Sequence, residues 1–261
     1  MNKDLYLNNL QSKVAHLNEK TYCHAAAKRL YTQQKWLPAE ASILLDYSSD
    51  IVSKKVLELG AGSGRIASVL KHRAADYCAT DINYNMITTL REVHPDVKAM
   101  VADARTLEGF NDCEYDTIIF SFNGIDCLPF HERPVALSSI YRVLTSGGAF
   151  IHSTHNVFHA RSASYHPKLF NSEGSFADFC LRKWNRWKIA RYEYYSPEYA
   201  IVNDRSLQNG LLNVYVRPEI HIAQLTDAGF SIDAIYERSG YKLERGNLPT
   251  DQWFYVVARK Q

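Results

Sequence analysis

The sequence predicts an α/β protein built on a Rossmann-like, doubly wound sheet of seven strands. Between residues 55 and 153, short apolar segments alternate with amphipathic helical segments, a pattern typical of parallel strands covered by helices on both faces. The first strand, Lys55–Leu59, leads directly into Gly60-Ala61-Gly62-Ser63-Gly64. Glycines allow a sharp turn here, and a strand, a glycine turn and a helix in succession can hold a nucleotide-like ligand.

The composition is that of a globular chain. With 261 residues and 46% hydrophobic composition, the chain can bury the core of one large domain with an insertion. A net charge of +2 favours neither a nucleic-acid scaffold nor a disordered tail. Five scattered cysteines without C-x-x-C spacing indicate reduced thiols and no metal site. Because neither a signal peptide nor a membrane span is recognisable, we expect a cytoplasmic protein.

The order of strands and helices follows from the apolar pattern. Seven segments have the composition of strands: residues 55–59, 77–80, 97–102, 117–120, 149–151, 231–236 and 253–258. Helices are predicted to begin near Gly64, at Asn83, near Pro134 and at Pro218, and Asn83 is a favourable N-cap residue. A hairpin-like connection joins the last two strands, which predicts that the final strand is antiparallel.

The chain divides into four predicted segments. They are an N-terminal helical lid at 1–50, a ligand-binding core at 51–153, a substrate-specificity insertion at 154–217, and a C-terminal completion of the core sheet at 218–261. Pro38 breaks the first segment in two. Its helices either cover one edge of the sheet or close over the ligand with Tyr31 or Trp36 reaching inward.

Acidic residues mark the ends of strands after the glycine turn. Asp81 follows the second strand and Asp103 the third, and doubly wound sheets bind ligands at these carboxyl ends. Asp81 lies 21 residues after Gly60 (81 − 60), the spacing of a carboxylate that accepts hydrogen bonds from ribose hydroxyls. Glu58 lies inside the first strand and needs a partner when buried.

These motifs together resemble the class I S-adenosylmethionine-dependent methyltransferases, over residues 50–153 and again over 218–260. Glu58–Gly64 is similar to the family's first motif, Asp81 to its ribose-binding acid and Asp103-Ala104 to its adenine-side motif. Ser146 stands where the family often has proline. The resemblance implies S-adenosylmethionine as cofactor. It implies these cofactor-binding residues: Glu58, Gly60, Ala61, Gly62, Gly64, Arg65, Asp81, Ile82, Met86, Asp103, Ala104, Ser121, Phe122 and Asn123.

The acceptor is predicted to be an oxygen or nitrogen atom of a small metabolite. A hydroxyl acceptor needs a base near the transition state, and histidine suits that role near neutral pH. His155 is expected just past the end of strand five, in the crevice, and Asp126 and His131 lie in the loop after strand four. These three are the candidate catalytic residues. His152 is expected to be a partly buried residue with its hydrogen bonds satisfied.

The insertion is compatible with three roles. Phe176, Phe179, Cys180, Trp184 and Trp187 fall on one helical face, among five cations between 182 and 191. This segment is an amphipathic cover helix, a site for an anionic substrate group, or the basis of an RNA (tRNA) methyltransferase. The motifs are also compatible with a non-catalytic S-adenosylmethionine-binding subunit and with a dehydrogenase. The G-x-G-x-G spacing and the second acid, Asp103, weigh against the dehydrogenase.

Overall fold

The computed structural model describes residues 3–22, 36–164 and 176–261. The described strands are Lys55–Glu58 (β1), Asp76–Asp81 (β2), Lys98–Val101 (β3), Tyr115–Phe120 (β4), Leu144–Asn156 (β5), Tyr194–Tyr195 (β6), Tyr199–Val202 (β7), Asn213–Val216 (β8), Phe230–Glu237 (β9) and Trp253–Lys260 (β10). The described α-helices are Lys3–Tyr22 (α1), Pro38–Asp46 (α2), Ala67–Leu70 (α3), Tyr84–Val93 (α4), Arg133–Val143 (α5), Ala160–Ala163 (α6), Phe176–Ile189 (α7), Ser206–Asn209 (α8) and Pro218–Asp227 (α9).

The predicted seven-stranded, doubly wound sheet is confirmed. Its order is β3-β2-β1-β4-β5-β10-β9, and the first five strands are parallel. Strand β10 is antiparallel to both β5 and β9, as the connection between the last two strands predicted. Successive side chains of a strand enter opposite cores: Val56 packs with α2, α3 and α4, whereas Leu57 packs with α5 and α9.

Strand β5 is longer than the sequence indicated. It runs to Asn156, so His155 lies within the strand and the predicted position past the strand end was wrong. His155 stands opposite Trp253 of β10 on one edge and Tyr215 of β8 on the other. Regular apolar alternation stops before this region, but partners on both edges continue the ladder of hydrogen bonds.

Three strands of the insertion extend the sheet. Strand β8 pairs with the last two residues of β5, on the edge that β4 leaves after Phe120. Strands β7 and β6 follow β8 in antiparallel pairing. The insertion therefore lies beyond the carboxyl end of β4, where a doubly wound sheet holds its ligand.

Helix α1 is anchored to the insertion, whereas α2 packs on the core. Leu10 and Val14 of α1 contact an apolar cluster that includes Ile201 and Val214. Asn18 makes two hydrogen bonds with the backbone of Leu212, at 2.7 and 3.0 Å. Of the two residues predicted to reach the ligand, Tyr31 lies outside the described residues, and Trp36 packs on the core beside α2.

The aromatic face of α7 points largely outward. Trp184 is 53% exposed and Trp187 is 71% exposed, while Ile189 joins the cluster under α1. Arg186 forms an ion pair with Glu193, and Lys188 lies over the ring of Trp184 at 4.9 Å. The helix is amphipathic, but Trp184 and Trp187 do not lie on its buried face.

Candidate active site

A pocket of about 1020 Å³, open at its mouth, lies at the carboxyl ends of β1, β2 and β4. Of the fourteen predicted cofactor-binding residues, twelve line it: Glu58, Gly60, Ala61, Gly62, Arg65, Asp81, Ile82, Met86, Asp103, Ala104, Ser121 and Phe122. Gly64 and Asn123 do not line it. We refer to this space as the cofactor pocket.

The glycine turn explains why Gly60 lines the cofactor pocket and Gly64 does not. Gly60 has φ +60°, and a Cβ there would lie 2.7 Å from the ring of Phe120, so a side chain would collide with this ring, which lines the pocket. Gly64 has φ +91°, and a Cβ there would lie 2.7 Å from the ring of His94. Gly64 therefore allows close packing of the turn on α4 and does not face the ligand.

Asp81 is held by backbone donors with its carboxylate at the pocket wall. Its Oδ2 accepts a hydrogen bond from the N–H of Gly62 at 2.9 Å, and its Oδ1 accepts one from the N–H of Asn83 at 2.8 Å. Each oxygen keeps a lone pair for a further donor, such as a sugar hydroxyl. Burial raises the pKa of Asp81, although these two hydrogen bonds oppose the rise.

Glu58 is a buried carboxyl without a cationic partner. The Tyr77 hydroxyl donates a hydrogen bond to it, and within the described residues no Lys or Arg lies at ion-pair distance from it. Burial raises the pKa of Glu58 to about 7. A ligand ammonium group would supply the missing positive charge, because an opposite charge favours ionisation.

Asp103 and the apolar side chains of Met86 and Ile82 line the part of the pocket that is predicted to hold adenine. Asp103 is bonded to Arg105, which also contacts Glu132 at 2.6 Å. Although partial burial opposes ionisation, the hydrogen bonds from Arg105 lower the pKa of Asp103. Met86 and Ile82 line the same pocket. These groups fit the adenosine part of S-adenosylmethionine.

Arg65 is buried and its charge is already paired. Its guanidinium makes two hydrogen bonds of 2.6 Å to Glu40 of α2 and one of 3.2 Å to the Ser121 hydroxyl. The guanidinium carbon also lies 5.0 Å from the centre of the Phe122 ring. Arg65 thus ties the glycine turn to α2 and to the end of β4.

A strained turn after β4 separates the cofactor pocket from a second one. Phe122 and Asn123 have φ of +53° and +59°, a left-handed backbone conformation that is uncommon for non-glycine residues. The N–H of Asn123 donates to the Ser153 hydroxyl at 2.7 Å. Asn123 lines this second pocket and not the cofactor pocket, and its predicted contact with the cofactor stays a prediction.

The second pocket, which we call the acceptor pocket, has a volume of about 640 Å³. Tyr22, Phe122 and Cys127 line both pockets, so the two spaces meet at these side chains. The remaining lining residues are Asn123, His155, Ser206, Leu207, Leu211, Asn213 and Trp253. Its lining contains no Lys or Arg within the part of the chain that the structure describes. Burial raises the pKa of Cys127 to about 12, which keeps this thiol protonated.

His155 is the basic group of the acceptor pocket. It is 5% exposed, and its Nδ1 lies 2.7 Å from Asp126 Oδ2. Because an ionised carboxylate only accepts hydrogen bonds, Nδ1 carries the proton and Nε2 keeps a lone pair. The Asn123 amide donates to Nε2 at 3.2 Å, and the ring stacks on Tyr215 at 4.3 Å.

Asp126 orients His155 and lines neither pocket. Its other oxygen accepts hydrogen bonds from the Thr154 hydroxyl at 2.6 Å and from Arg133 at 3.2 Å. Asp126 and Arg133 are both fully buried. In this position Asp126 supports the His155 side chain, and its predicted catalytic role stays a prediction.

His131 and His152 lie away from both pockets. His131 is half-exposed, and its Nδ1 lies 2.9 Å from the Gln11 side-chain oxygen of α1, so its predicted catalytic role has no geometric support. His152 was expected to be partly buried, but it is fully buried and contacts His221 at 2.7 Å. Burial lowers the pKa of His152 to about 3.

Several lining residues carried no sequence signal. Glu19 and Tyr22 reach the cofactor pocket from α1, and Asn213 and Trp253 reach the acceptor pocket from β8 and β10. Asn213 and Trp253 come close to each other because β8 and β10 both pair with β5. The sequence indicates only that residues near the carboxyl ends of strands can line the ligand crevice. This rule does not specify which side chains do so.

Metal-ligand clusters and membrane-spanning helices are both absent from the described residues. There, His, Cys, Asp and Glu form no group of three or more that could hold a metal ion. Nor does any helix of the described segments have the length and apolar character needed to cross a membrane.

Comparisons with known proteins agree with this geometry. A family described as a methyltransferase domain matches residues 56–148. No curated protein matches the chain in sequence. The fold is similar to that of an S-adenosylmethionine-dependent methyltransferase from Clostridium acetobutylicum, at TM-score 0.60 and 11% identity over 92% of this chain and 98% of that one.

Two other solved structures share the fold. An S-adenosylmethionine-dependent methyltransferase from Mesorhizobium loti has TM-score 0.57 and 16% identity over 85% of this chain and 100% of that one. An S-adenosylmethionine-dependent methyltransferase from Methanosarcina mazei has TM-score 0.57 and 19% identity over 87% of this chain and 99% of that one. Residues 56–148, which contain the glycine turn and the strand-end acids, thus match a methyltransferase domain, and the chain is similar in fold to S-adenosylmethionine-dependent methyltransferases of known structure.

Proposed function

We propose that the protein transfers a methyl group from S-adenosylmethionine to an oxygen or nitrogen of a small molecule held in the acceptor pocket, with His155 as general base. S-adenosylmethionine supplies the methyl group as an activated sulfonium. The observation that carries the proposal is His155 itself, whose Nδ1 is fixed by Asp126 at 2.7 Å and whose side chain lines a pocket that adjoins the cofactor pocket. A positioned base favours a hydroxyl acceptor, because a hydroxyl must lose its proton near the transition state.

The predicted lid and insertion have matching roles in this proposal. Tyr22 of α1 stands at the junction of the pockets, and Ser206, Leu207, Leu211 and Asn213 of the insertion line the acceptor side. We propose that residues 1–50 close over the cofactor and that residues 154–217 select the acceptor. Closure over both ligands would position the acceptor atom for in-line attack, and such orientation contributes roughly 7–11 kcal/mol to catalysis.

The proposal is tested by methyl transfer from radiolabelled S-adenosylmethionine to fractions of a small-molecule extract. We expect His155→Ala to lower turnover by about 100-fold or more and to leave S-adenosylhomocysteine binding, measured by calorimetry, unchanged. His131→Ala is the matched control, because His131 lines neither pocket, and it should retain activity.

Three contrary outcomes would each point to a different function or mechanism. Label in RNA and not in small molecules would favour the RNA methyltransferase. Binding of S-adenosylmethionine without transfer to any fraction would favour a non-catalytic subunit. Full activity of His155→Ala would remove the base from the mechanism.

A further inference from the structure

A second carboxylate stands beside His155. Asp204 lies in the loop between β7 and α8, and its side chain is 4% exposed. Its Oδ2 is 3.8 Å from His155 Nε2, the nitrogen that keeps the lone pair. His155 therefore lies between two acids, with Asp126 at Nδ1 and Asp204 near Nε2.

The carboxylate of Asp204 is held by hydrogen bonds. Its carboxylate accepts hydrogen bonds from the Ser206 N–H at 3.1 Å, the Asn213 amide at 2.8 Å and the Tyr215 hydroxyl at 3.3 Å. Three donors favour the ionised form. Within the described residues no Lys or Arg forms an ion pair with it, whereas Asp126 has Arg133 at 3.2 Å.

Asn123 is placed to respond to a proton on His155. Its amide nitrogen contacts Nε2 at 3.2 Å, and its Oδ1 is buried without a hydrogen-bond partner in the described structure. When Nε2 gains a proton it becomes a donor, so the amide must rotate to present Oδ1. A protonated His155 then has acceptors on both sides.

We propose that Asp204 is a positioning residue of the acceptor pocket, whose uncompensated negative charge stabilises protonated His155 and restricts the pocket to acceptors without negative charge. This inference rests on the proposed function of His155. In the step it assists, the acceptor oxygen forms a bond to the methyl carbon while the carbon–sulfur bond breaks and leaves its electron pair on sulfur. The hydroxyl proton passes to His155 Nε2. Uncharged hydroxyl compounds are the acceptor class that this pocket fits, because its described lining offers no cation to a carboxylate or phosphate.

Several other ionisable groups lie near His155 in the described residues, including Arg238 over the ring of Trp253. Asp126 faces it from the segment Gly124–Cys127, and Arg133 lies behind Asp126. Tyr215 stacks on the ring from β8, and Cys127 and Tyr22 line the same pocket. Removing the charge of Asp204 leaves all of these in place.

The proposal is tested by an NMR titration of the His155 imidazole in the whole protein, without substrate. We expect Asp204→Asn to move the titration midpoint of His155 to lower pH by about one unit, a tenfold weaker binding of the proton. Asp204→Glu, which restores the charge, should recover most of the shift. Asp233→Asn is the control, because Asp233 pairs with Arg259 elsewhere, and it should leave the midpoint unchanged. Equal midpoints in the wild type and Asp204→Asn would overturn the proposal.

A measurement on the wild type covers the case in which Asp204→Asn fails to fold. With S-adenosylhomocysteine bound, 4-methylphenol should bind at least about tenfold more tightly than 4-hydroxybenzoate, because the buried charge repels the carboxylate. Equal or tighter binding of 4-hydroxybenzoate would contradict the charge restriction. Loss of turnover in His155→Ala with either negative result would leave the proposed function standing and remove only the role of Asp204.

Discussion

The cofactor pocket takes three of its acidic residues from the ends of neighbouring strands, whereas the acceptor pocket takes its polar groups from segments far apart in the chain. Glu58, Asp81 and Asp103 lie within 46 residues of one another (103 − 58 + 1). Tyr22, Asn123, His155, Asn213 and Trp253 come from five different parts of the molecule. The first pocket follows from the local strand–turn–helix pattern, and the second follows from how the insertion joins the sheet.

The two pockets also differ in how their charges are held. Asp81 relies on backbone N–H groups, and Glu58 on one tyrosine hydroxyl. In the acceptor pocket, His155 depends on Asp126, which forms a fully buried pair with Arg133. His155 is thus anchored to the protein core, so damage to its support should affect folding as well as the proposed catalysis.

The largest effect expected is on stability. Asp126→Ala leaves Arg133 as a buried charge without its partner, which should lower the free energy of unfolding by about 3–5 kcal/mol. Urea denaturation measures this change. Asp112→Ala is the control, because Asp112 pairs with Arg142 at the surface and such pairs contribute less than about 1 kcal/mol. Equal losses of unfolding free energy in the two variants would show that the buried Asp126–Arg133 pair contributes no more to stability than the surface pair.

A smaller effect should be confined to the cofactor pocket. Asp81→Ala removes a carboxylate that accepts hydrogen bonds, each worth about 1.5–3 kcal/mol to a charged group, so binding of S-adenosylhomocysteine should weaken about 10- to 100-fold. Calorimetry measures the affinity. Asp76→Ala, at the opposite end of the same strand, should bind normally. Unchanged affinity in Asp81→Ala would remove this acid from the cofactor site.

The pH dependence of cofactor binding should report Glu58. Its pKa is raised to about 7 by burial, so the carboxylate that can pair with a ligand ammonium forms only as the pH rises through that value. Affinity for S-adenosylhomocysteine should therefore increase about tenfold between pH 6 and 8, following the ionised fraction. Glu58→Gln should abolish the increase, and a persisting slope in that variant would assign it to another group.

The same contrast explains what could be predicted from the sequence. The alternation of strands and helices, the antiparallel last strand and a glycine turn beside strand-end acids follow from local patterns that a single chain segment carries. Motif position did not predict that Gly64 packs against α4 or that Asn123 lines the acceptor pocket, because a motif does not reveal which neighbour a residue contacts. Asp204, Asn213 and Trp253 could not be predicted, because their proximity to His155 depends on tertiary pairing of β8 and β10 with β5.

The smallest effect concerns whether α1 belongs with the insertion or with the core. Asn18→Ala removes two hydrogen bonds to the backbone of Leu212, a loss of about 1 kcal/mol. Hydrogen exchange of backbone amides in α1, β7 and β8 should then quicken together by about fivefold, while β1 and β4 stay protected. Asn9→Ala, on an exposed position of the same helix, should leave exchange unchanged. Faster exchange in α1 alone would show that the helix opens independently, and the acceptor and cofactor pockets would then close by separate movements.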